Sequence, residues 1–328
     1  MRMLVLGGTA WLGGEVVRRA VGEGWAVSCL ARGESGTPPA GADLVAADRT
    51  EPGAYDEVGR TDWDAVVDVS RQPGQVRSAI AALGDRTGHW SFVSTGNVYA
   101  DLSGPLDEDS PLREPVAGDV AEPEEYGEGK VACERAVNAL ADHVIWRAGL
   151  IGGPGDPSDR FGYWVSRFAL AGDSPVLVPD IPEQPVQVVD VRDLAAWIVS
   201  AAAAGTTGLF NAAGDPVPFG SVLGTAAAVA GSTGERLAVD PQWLLEHDVQ
   251  HWMGPRSLPL WLPGDALGLA QESVERARAA GFGPRPLEET LAATLEDERA
   301  RGLARDRRAG LARSDELALL ADPSLPAS

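Results

Sequence analysis

A glycine-rich segment near the start of the chain constrains the fold more than any other feature. It follows the apolar run 4–6 directly and precedes a helical pattern. Gly7 permits a tight turn, the small side chain of Ala10 lets backbone approach a pyrophosphate, and Gly13 lets helix and strand pack closely. The helix N-terminus then offers unpaired amides to phosphate groups. The segment therefore predicts a phosphate-binding turn, whose cofactor contacts would come from Gly7, Thr9, Ala10, Trp11, Leu12 and Gly13.

Short apolar runs alternate with helical patterns through the first half of the chain. Strands that are apolar throughout and separated by helices indicate a parallel sheet covered on both faces. Right-handed crossovers then give a doubly wound α/β sheet of the Rossmann type. The predicted strands are 4–6, 26–31, 43–47, 65–69, 90–94 and 143–147, and the predicted helices are 12–21, 76–83 and 126–141.

Beyond Gly149 the pattern loosens into Gly-Pro pairs and short periodic segments, which predicts a smaller C-terminal substrate lobe. A strand at 186–191 is predicted to return to the main sheet, followed by a helix over 193–204. The predicted division is 1–150, with 186–212 returning to it, then 151–185 and 213–300 as the lobe, and 301–328 as a charged C-terminal helix or tail. The arginines from Arg299 to Arg308 are interpreted as a solvated face. The Pro-rich stretch 255–263 and its nearby tryptophans predict a surface-covering or homodimer contact.

The formal net charge of −21 disfavours nucleic acid and anionic membrane as partners, so a small-molecule substrate is expected. The apolar run 4–6 is too short for an export signal, and no stretch of 18 apolar residues could span a bilayer. We therefore expect a cytoplasmic protein. Cys29 and Cys133 lie in apolar stretches and predict two buried thiols, while the four scattered histidines predict no metal site.

The end of the second predicted strand bears on the choice of dinucleotide. An acidic side chain there would bind a ribose diol, whereas a guanidinium would pair with a 2′-phosphate. Arg32 stands at this place, which favours NADP, although Glu34 could still bind the ribose of NAD. Asp48, after the third strand, is predicted to contact adenine, with a turn or capping role as the alternative. Ser70, after the fourth strand, is predicted to line the nicotinamide side.

Tyr126 and Lys130 lie four residues apart, on one face of a predicted helix. They follow Ser94 and Thr95 at the carboxyl end of the fifth strand, the edge of a doubly wound sheet that faces the ligand. Two glycines inside the tyrosine helix predict close approach of a cofactor.

These motifs together resemble the extended short-chain dehydrogenase/reductase family, which includes nucleotide-sugar epimerases and dehydratases. The resemblance implies that Tyr126 is the catalytic acid/base, that Lys130 holds the nicotinamide ribose and favours the phenolate, and that Thr95 polarises the substrate oxygen, with Ser94 as a rival. The motifs cover about the first 210 residues, and they are Gly7-Gly8-Thr9…Gly13, Ser94-Thr95…Val98-Tyr99, Tyr126…Lys130, Arg147-Ala148-Gly149-Leu150-Ile151-Gly152-Gly153-Pro154 and Val189-Asp190-Val191-Arg192-Asp193.

The chain also departs from the family pattern at Ala10, at Ala148 and Gly152, and at the second strand, which lacks the usual aspartate. These departures favour a dissociating NADP-dependent oxidoreductase acting on a small carbonyl or alcohol. The alternatives are a nucleotide-sugar epimerase or dehydratase with tightly bound NAD, and a non-catalytic nucleotide- or RNA-binding protein on the same fold. For substrate contacts we predict Ser94, Asn97, Arg160 and Trp164, the last two from an aromatic and charged segment at the start of the lobe.

Overall fold

The computed structural model describes residues 1–34 and 36–325. Its strands are β1 (Arg2–Leu6), β2 (Ala26–Ala31), β3 (Ala42–Ala46), β4 (Ala65–Asp68), β5 (Trp90–Thr95), β6 (His143–Ala148), β7 (Leu150–Gly152), β8 (Val176–Pro179), β9 (Pro185–Val186), β10 (Val188–Asp190), β11 (Gly208–Ala212), β12 (Val217–Pro218), β13 (Arg236–Val239), β14 (Gln250–His251) and β15 (Ser257–Leu258). Its α-helices are α1 (Trp11–Gly22), α2 (Pro73–Leu83), α3 (Tyr126–Val137), α4 (Gly162–Ala171), α5 (Val191–Ala204), α6 (Phe219–Ala230), α7 (Pro241–Glu246), α8 (Glu275–Ala279), α9 (Leu287–Arg301) and α10 (Arg313–Leu320).

The chain forms two compact units, and the first contains 1–149, 191–213 and 272–283. Its seven-stranded sheet has the order β11-β6-β5-β4-β1-β2-β3, and every neighbouring pair is parallel. Strands β4 and β5 are buried along their whole length, because helices cover both faces of such a sheet. The predicted doubly wound Rossmann-type sheet is confirmed.

The prediction that a strand at 186–191 returns to the main sheet was wrong. Its residues form β9 and β10, which pair with β12 and β7 in the second unit, while β11 occupies the sheet edge beside β6. Apolar alternation shows that a segment is a strand but does not choose its partner. The segment 272–283, predicted in the lobe, belongs to the first unit, where the Phe282 ring stacks on Trp197 at 4.5 Å between centroids.

The second unit contains 150–190, 214–271 and 284–325 of the described residues. Helices α4, α6 and α9 pack together beside the parallel pair β8 and β13. Trp164 lies at the centre of this core, fully buried, with its indole N–H donating to the carbonyl of Pro259. The prediction that Trp164 contacts substrate was therefore wrong. Trp164 lies on the apolar face of α4 that packs into the core of the second unit.

The prediction that the C-terminal arginines are solvated was wrong for Arg305 and Arg307, whereas Arg299 and Arg308 are exposed. Glu298 and Asp159 are almost completely buried, and Arg301 and Arg305 donate to both of them. Arg307 adds a further bond to Glu298 at 2.7 Å. A buried carboxylate needs such partners, so Arg301, Arg305 and Arg307 bind buried carboxylates of the second unit.

Both cysteines are buried free thiols, as predicted. Burial raises the pKa of the Cys29 thiol to about 11 and that of Cys133 to about 12. Among the helices that the structure describes, none combines the length and the apolar character that crossing a bilayer requires.

Candidate functional site

The glycine turn joins β1 to α1 and has the close contacts that its glycines predict. Gly7 has a φ of +96°, a region that favours glycine. A Cβ at Gly13 would lie 2.3 Å from the carbonyl oxygen of Gly7, so no other residue fits. Ala10 is the N-cap of α1 and supplies no side-chain hydrogen bond to the first turn. The turn thus leaves the first amides of α1 without a capping side chain and allows backbone to approach a ligand.

An open cleft of about 290 Å³ lies beside this turn, in the first unit. Arg32 is half exposed and pairs with Glu34 at 3.0 Å, and it lies 4.0 Å from Asp48. A hydrogen bond from the Thr50 amide lowers the pKa of the Asp48 carboxyl. The structure thus brings together the predicted contacts Gly7, Thr9, Ala10, Arg32 and Asp48. The full lining is Gly7, Thr9, Ala10, Leu30, Ala31, Arg32, Gly33, Glu34, Ala47, Asp48, Arg49, Thr50 and Gln75.

Arg49 also lines the cleft, and sequence reasoning missed it. Its side chain is only 11% exposed, with Nη1 2.5 Å from the Ser70 hydroxyl and 3.4 Å from Asp68. The sequence did offer a signal, because Arg49 directly follows Asp48, the acidic residue after the third strand that was predicted to contact adenine. The partners of Arg49 could not be inferred from this signal, because Asp68 and Ser70 lie at the end of β4, about twenty residues further along the chain.

Lys130 is buried at the carboxyl ends of two adjacent strands. Its ammonium donates to the backbone carbonyls of Ser70, at 2.7 Å, and Val93, at 2.6 Å, and lies 4.7 Å from the centre of the Phe92 ring. An ammonium has three N–H donors, and within the described part of the chain these two oxygens are its hydrogen-bond acceptors. The third N–H has no acceptor among these described residues. Lys130 is also the single lysine among 27 basic residues.

Ser94 and Thr95 point in opposite directions, as neighbours on a strand must. The Ser94 hydroxyl donates to Glu134 at 2.5 Å, and Glu134 in turn forms a buried ion pair with Arg147 at 2.9 Å. Ser94 therefore belongs to an internal polar network. The Thr95 hydroxyl oxygen accepts from the backbone and side-chain nitrogens of Asn97, at 3.3 and 3.2 Å.

Tyr126 is the first residue of α3 and is half buried. The guanidinium of Arg71 lies over its ring, 5.7 Å from the centroid. The glycines of this helix, predicted to allow close approach of a cofactor, lie against the protein's own chain. A Cβ at Gly127 would lie 2.2 Å from the Asn97 carbonyl oxygen, and one at Gly129 would lie 2.5 Å from Ala121. The close approach that they allow is to the protein's own chain.

Arg160, the remaining predicted substrate contact, lies in the second unit. Its Nε donates to the Ser158 hydroxyl at 3.1 Å, and its guanidinium lies over the Trp252 ring at 4.9 Å. These contacts hold Arg160 within its own unit, and they give no independent sign of a ligand.

The sequence matches no protein-family model and no curated protein. The structure is similar to several solved structures over nearly the whole chain. A proposed epimerase from Burkholderia cenocepacia J2315 has a TM-score of 0.69 and 22% identity over 91% of this chain and 98% of that one. UDP-glucuronic acid 4-epimerase from Bacillus cereus, in complex with NAD, has a TM-score of 0.66 and 14% identity, covering 92% and 99%. UDP-glucose 4-epimerase from Thermotoga maritima, with UDP-glucose, has a TM-score of 0.65 and 17% identity, covering 92% and 99%. The chain therefore has the fold of these epimerases, the same fold class that its sequence motifs predict.

Proposed function

We propose that this protein is an NAD(P)-dependent oxidoreductase that interconverts a small alcohol and its carbonyl compound. The observation that carries the proposal is the buried ammonium of Lys130, held at the ends of β4 and β5 in the unit that also contains the glycine-turn cleft. Arginine fills the other 26 basic positions of the chain, since one of the 27 is lysine. A compact three-donor group fits between two carbonyls where a planar guanidinium does not.

The cleft fits the adenosine and phosphate half of a dinucleotide. The uncapped N-terminus of α1 and the glycine turn would hold the pyrophosphate, because backbone amides and the helix dipole favour anions there. Asp48 would contact the adenine and Lys130 the nicotinamide ribose. When bound, the nicotinamide supplies the hydride acceptor or donor.

Tyr126 would act as the acid/base and Thr95 as the hydroxyl that orients the substrate oxygen. A phenol transfers protons near neutral pH only when a neighbouring cation favours its anionic form. Lys130, one helical turn along α3, and Arg71, over the ring, are the cations that support this role. Ser94 is the weaker candidate for the hydroxyl, because Glu134 already accepts its proton.

We further propose a preference for NADP over NAD, supported by the place of Arg32. Its pairing with Glu34 is exposed, and exposed ion pairs contribute only about 0–1 kcal/mol, so a 2′-phosphate can displace the carboxylate at little cost. Arg32→Ala should weaken NADP binding at least tenfold while changing NAD binding much less. Equal losses for the two nucleotides would refute the preference.

The test of the activity combines cofactor binding with turnover. Thermal stability is first compared with NAD, NADH, NADP and NADPH, since a ligand that binds the folded state raises its melting temperature. Carbonyl compounds are then screened for oxidation of the bound reduced cofactor. Tyr126→Phe should retain the thermal shift and lose turnover by a factor of about 10²–10⁴. Tyr55→Phe, a buried tyrosine beside α2 in the same unit, is the control and should retain turnover. An unchanged rate in Tyr126→Phe would favour a non-catalytic binding protein.

A nucleotide-sugar epimerase is the second candidate, and the fold similarity over 91–92% of the chain to proteins described as epimerases favours it. An epimerase would retain NAD through purification, bind UDP-sugars and show no net oxidation of the cofactor. The oxidoreductase would be purified without NAD and would consume reduced cofactor in proportion to product. Cofactor released by acid precipitation of the purified protein separates these outcomes.

A further inference from the structure

Arg49 connects the nucleotide cleft to a buried polar cluster. The cluster consists of Arg49, Asp68, Ser70 and Lys130, all of which lie in the first unit. Arg49 lines the cleft, and its Nη1 lies 2.5 Å from the Ser70 hydroxyl. Its other terminal nitrogen, Nη2, lies 3.4 Å from the Gln75 side-chain oxygen. The guanidinium is therefore held in one place by partners on β4 and α2 while one side of the residue remains open to a ligand.

Ser70 links Arg49 and Asp68 to Lys130 within this cluster. Its hydroxyl and backbone amide both donate to Oδ1 of Asp68, the amide at 2.9 Å. Its backbone carbonyl accepts from the Lys130 ammonium at 2.7 Å. Ser70 thus contacts Arg49 through its side chain and Lys130 through its backbone.

Asp68 makes the cluster sensitive to the loss of Arg49. The Asp68 carboxylate is fully buried, and its Oδ2 has no hydrogen-bond partner in the described part of the chain. Arg49 is the cation that pairs with it, at 3.4 Å. A buried carboxylate that loses its cation must rearrange, and Ser70 would move with it.

We propose that Arg49 is a positioning residue that couples occupancy of the cleft by an adenine nucleotide to the placement of the Lys130 ammonium through Ser70. The proposal rests on the function proposed above. A guanidinium stacks on aromatic rings and pairs with phosphates, so an adenine nucleotide in this cleft contacts Arg49 directly. Any displacement of Arg49 changes the hydrogen bond to the Ser70 hydroxyl, and the Ser70 carbonyl carries that change to Lys130.

The single lysine makes the coupling measurable without a known substrate. Protein labelled with ζ-¹⁵N lysine contains one labelled amine, so its NMR spectrum reports Lys130 alone. The probe is 5′-AMP, which lacks the nicotinamide half of a dinucleotide and so reaches Lys130 only through the protein. We expect a saturable shift of the Lys130 signal, with the same midpoint as the rise in melting temperature that AMP causes.

Two variants and one control decide whether Arg49 carries the effect. Arg49→Met should abolish the AMP-induced shift at saturating AMP. The double variant R49M/D68N is measured beside it, because it also removes the buried carboxylate charge that could unfold the single variant. Arg77→Met is the matched control, since Arg77 lies on α2 in the same unit but pairs with Asp119 and does not line the cleft, and it should retain the shift.

Two results would overturn the coupling: AMP raises the melting temperature without moving the wild-type Lys130 signal, or the signal moves equally in R49M/D68N. If AMP, NAD and NADP all fail to stabilise the protein, the proposed function itself is overturned. The two failures are therefore distinguishable.

Discussion

Replacement of Glu272 by glutamine should change how stability depends on pH. Glu272 lies in the segment that returns to the first unit, and it is 2% exposed. Burial raises the pKa of its carboxyl from 4.5 to about 8, with the neighbouring Glu108 adding to the rise and Arg147 opposing it. Arg147 offsets the rise in the Glu272 pKa only in part, because its guanidinium already donates two hydrogen bonds to Glu134.

The sign follows from which state holds the proton. Because the pKa is raised on folding, the folded protein keeps the proton over a range in which the unfolded chain releases it. The contribution to stability is complete below the unfolded pKa and is lost as the pH rises through the folded one. At 1.36 kcal/mol per unit, a rise of about 3.5 units corresponds to about 5 kcal/mol in total, of which about 4 kcal/mol falls between pH 5 and pH 9.

The assay is urea unfolding followed by tryptophan fluorescence at a series of pH values. Glu272→Gln should match the wild type at pH 5 and exceed its unfolding free energy by about 4 kcal/mol at pH 9. Glu275→Gln, an exposed position in the same segment, is the control and should parallel the wild type throughout. Parallel curves for Glu272→Gln and the wild type would refute a buried, protonated carboxyl.

Three further outcomes follow from close contacts and burial. Gly13→Ala should destabilise the turn by about 1–3 kcal/mol and abolish the thermal shift by dinucleotide, because its Cβ would lie 2.3 Å from a carbonyl oxygen; at Gly14 the nearest atoms are 3.8 Å away, and equal effects of alanine at both positions would contradict this. Glu298→Gln should lower the unfolding free energy in urea by about 3 kcal/mol, because three arginines lose their shared buried carboxylate, whereas exposed Glu296→Gln should have little effect; a neutral result at Glu298 would count against the network. Burial raises the pKa of the Cys133 thiol to about 12, so a disulfide reagent at pH 8 should react with it only after denaturation, and rapid reaction in the native protein would disprove its burial.

The sequence determined the features that depend on short-range chemistry. The glycine turn at 7–14 was predictable because only glycine satisfies a positive φ and a close contact within a few residues. The inner strands of the main sheet were predictable because a strand buried on both faces is apolar throughout, whereas the edge strand β11 was not predicted. Tyr126 and Lys130 share a helix in the structure, as a spacing of four residues predicts. Their catalytic roles stay a proposal.

Tertiary structure decided which partner each segment or side chain meets. Residues 186 and 188–190 were correctly predicted as extended, but Val191 begins α5, and the strand partners are set by contacts across the second unit. Ser94 could be separated from Thr95 only once Glu134, forty residues away, was seen to accept its hydroxyl. Charged and polar side chains follow no regular spacing that would show whether they are buried. Whether such a side chain is solvated by water or bound by a buried partner depends on groups that are remote in the chain. Arg305 illustrates the point, because Asp159 binds it across 146 residues and turns an apparently solvated charge into part of the folded core.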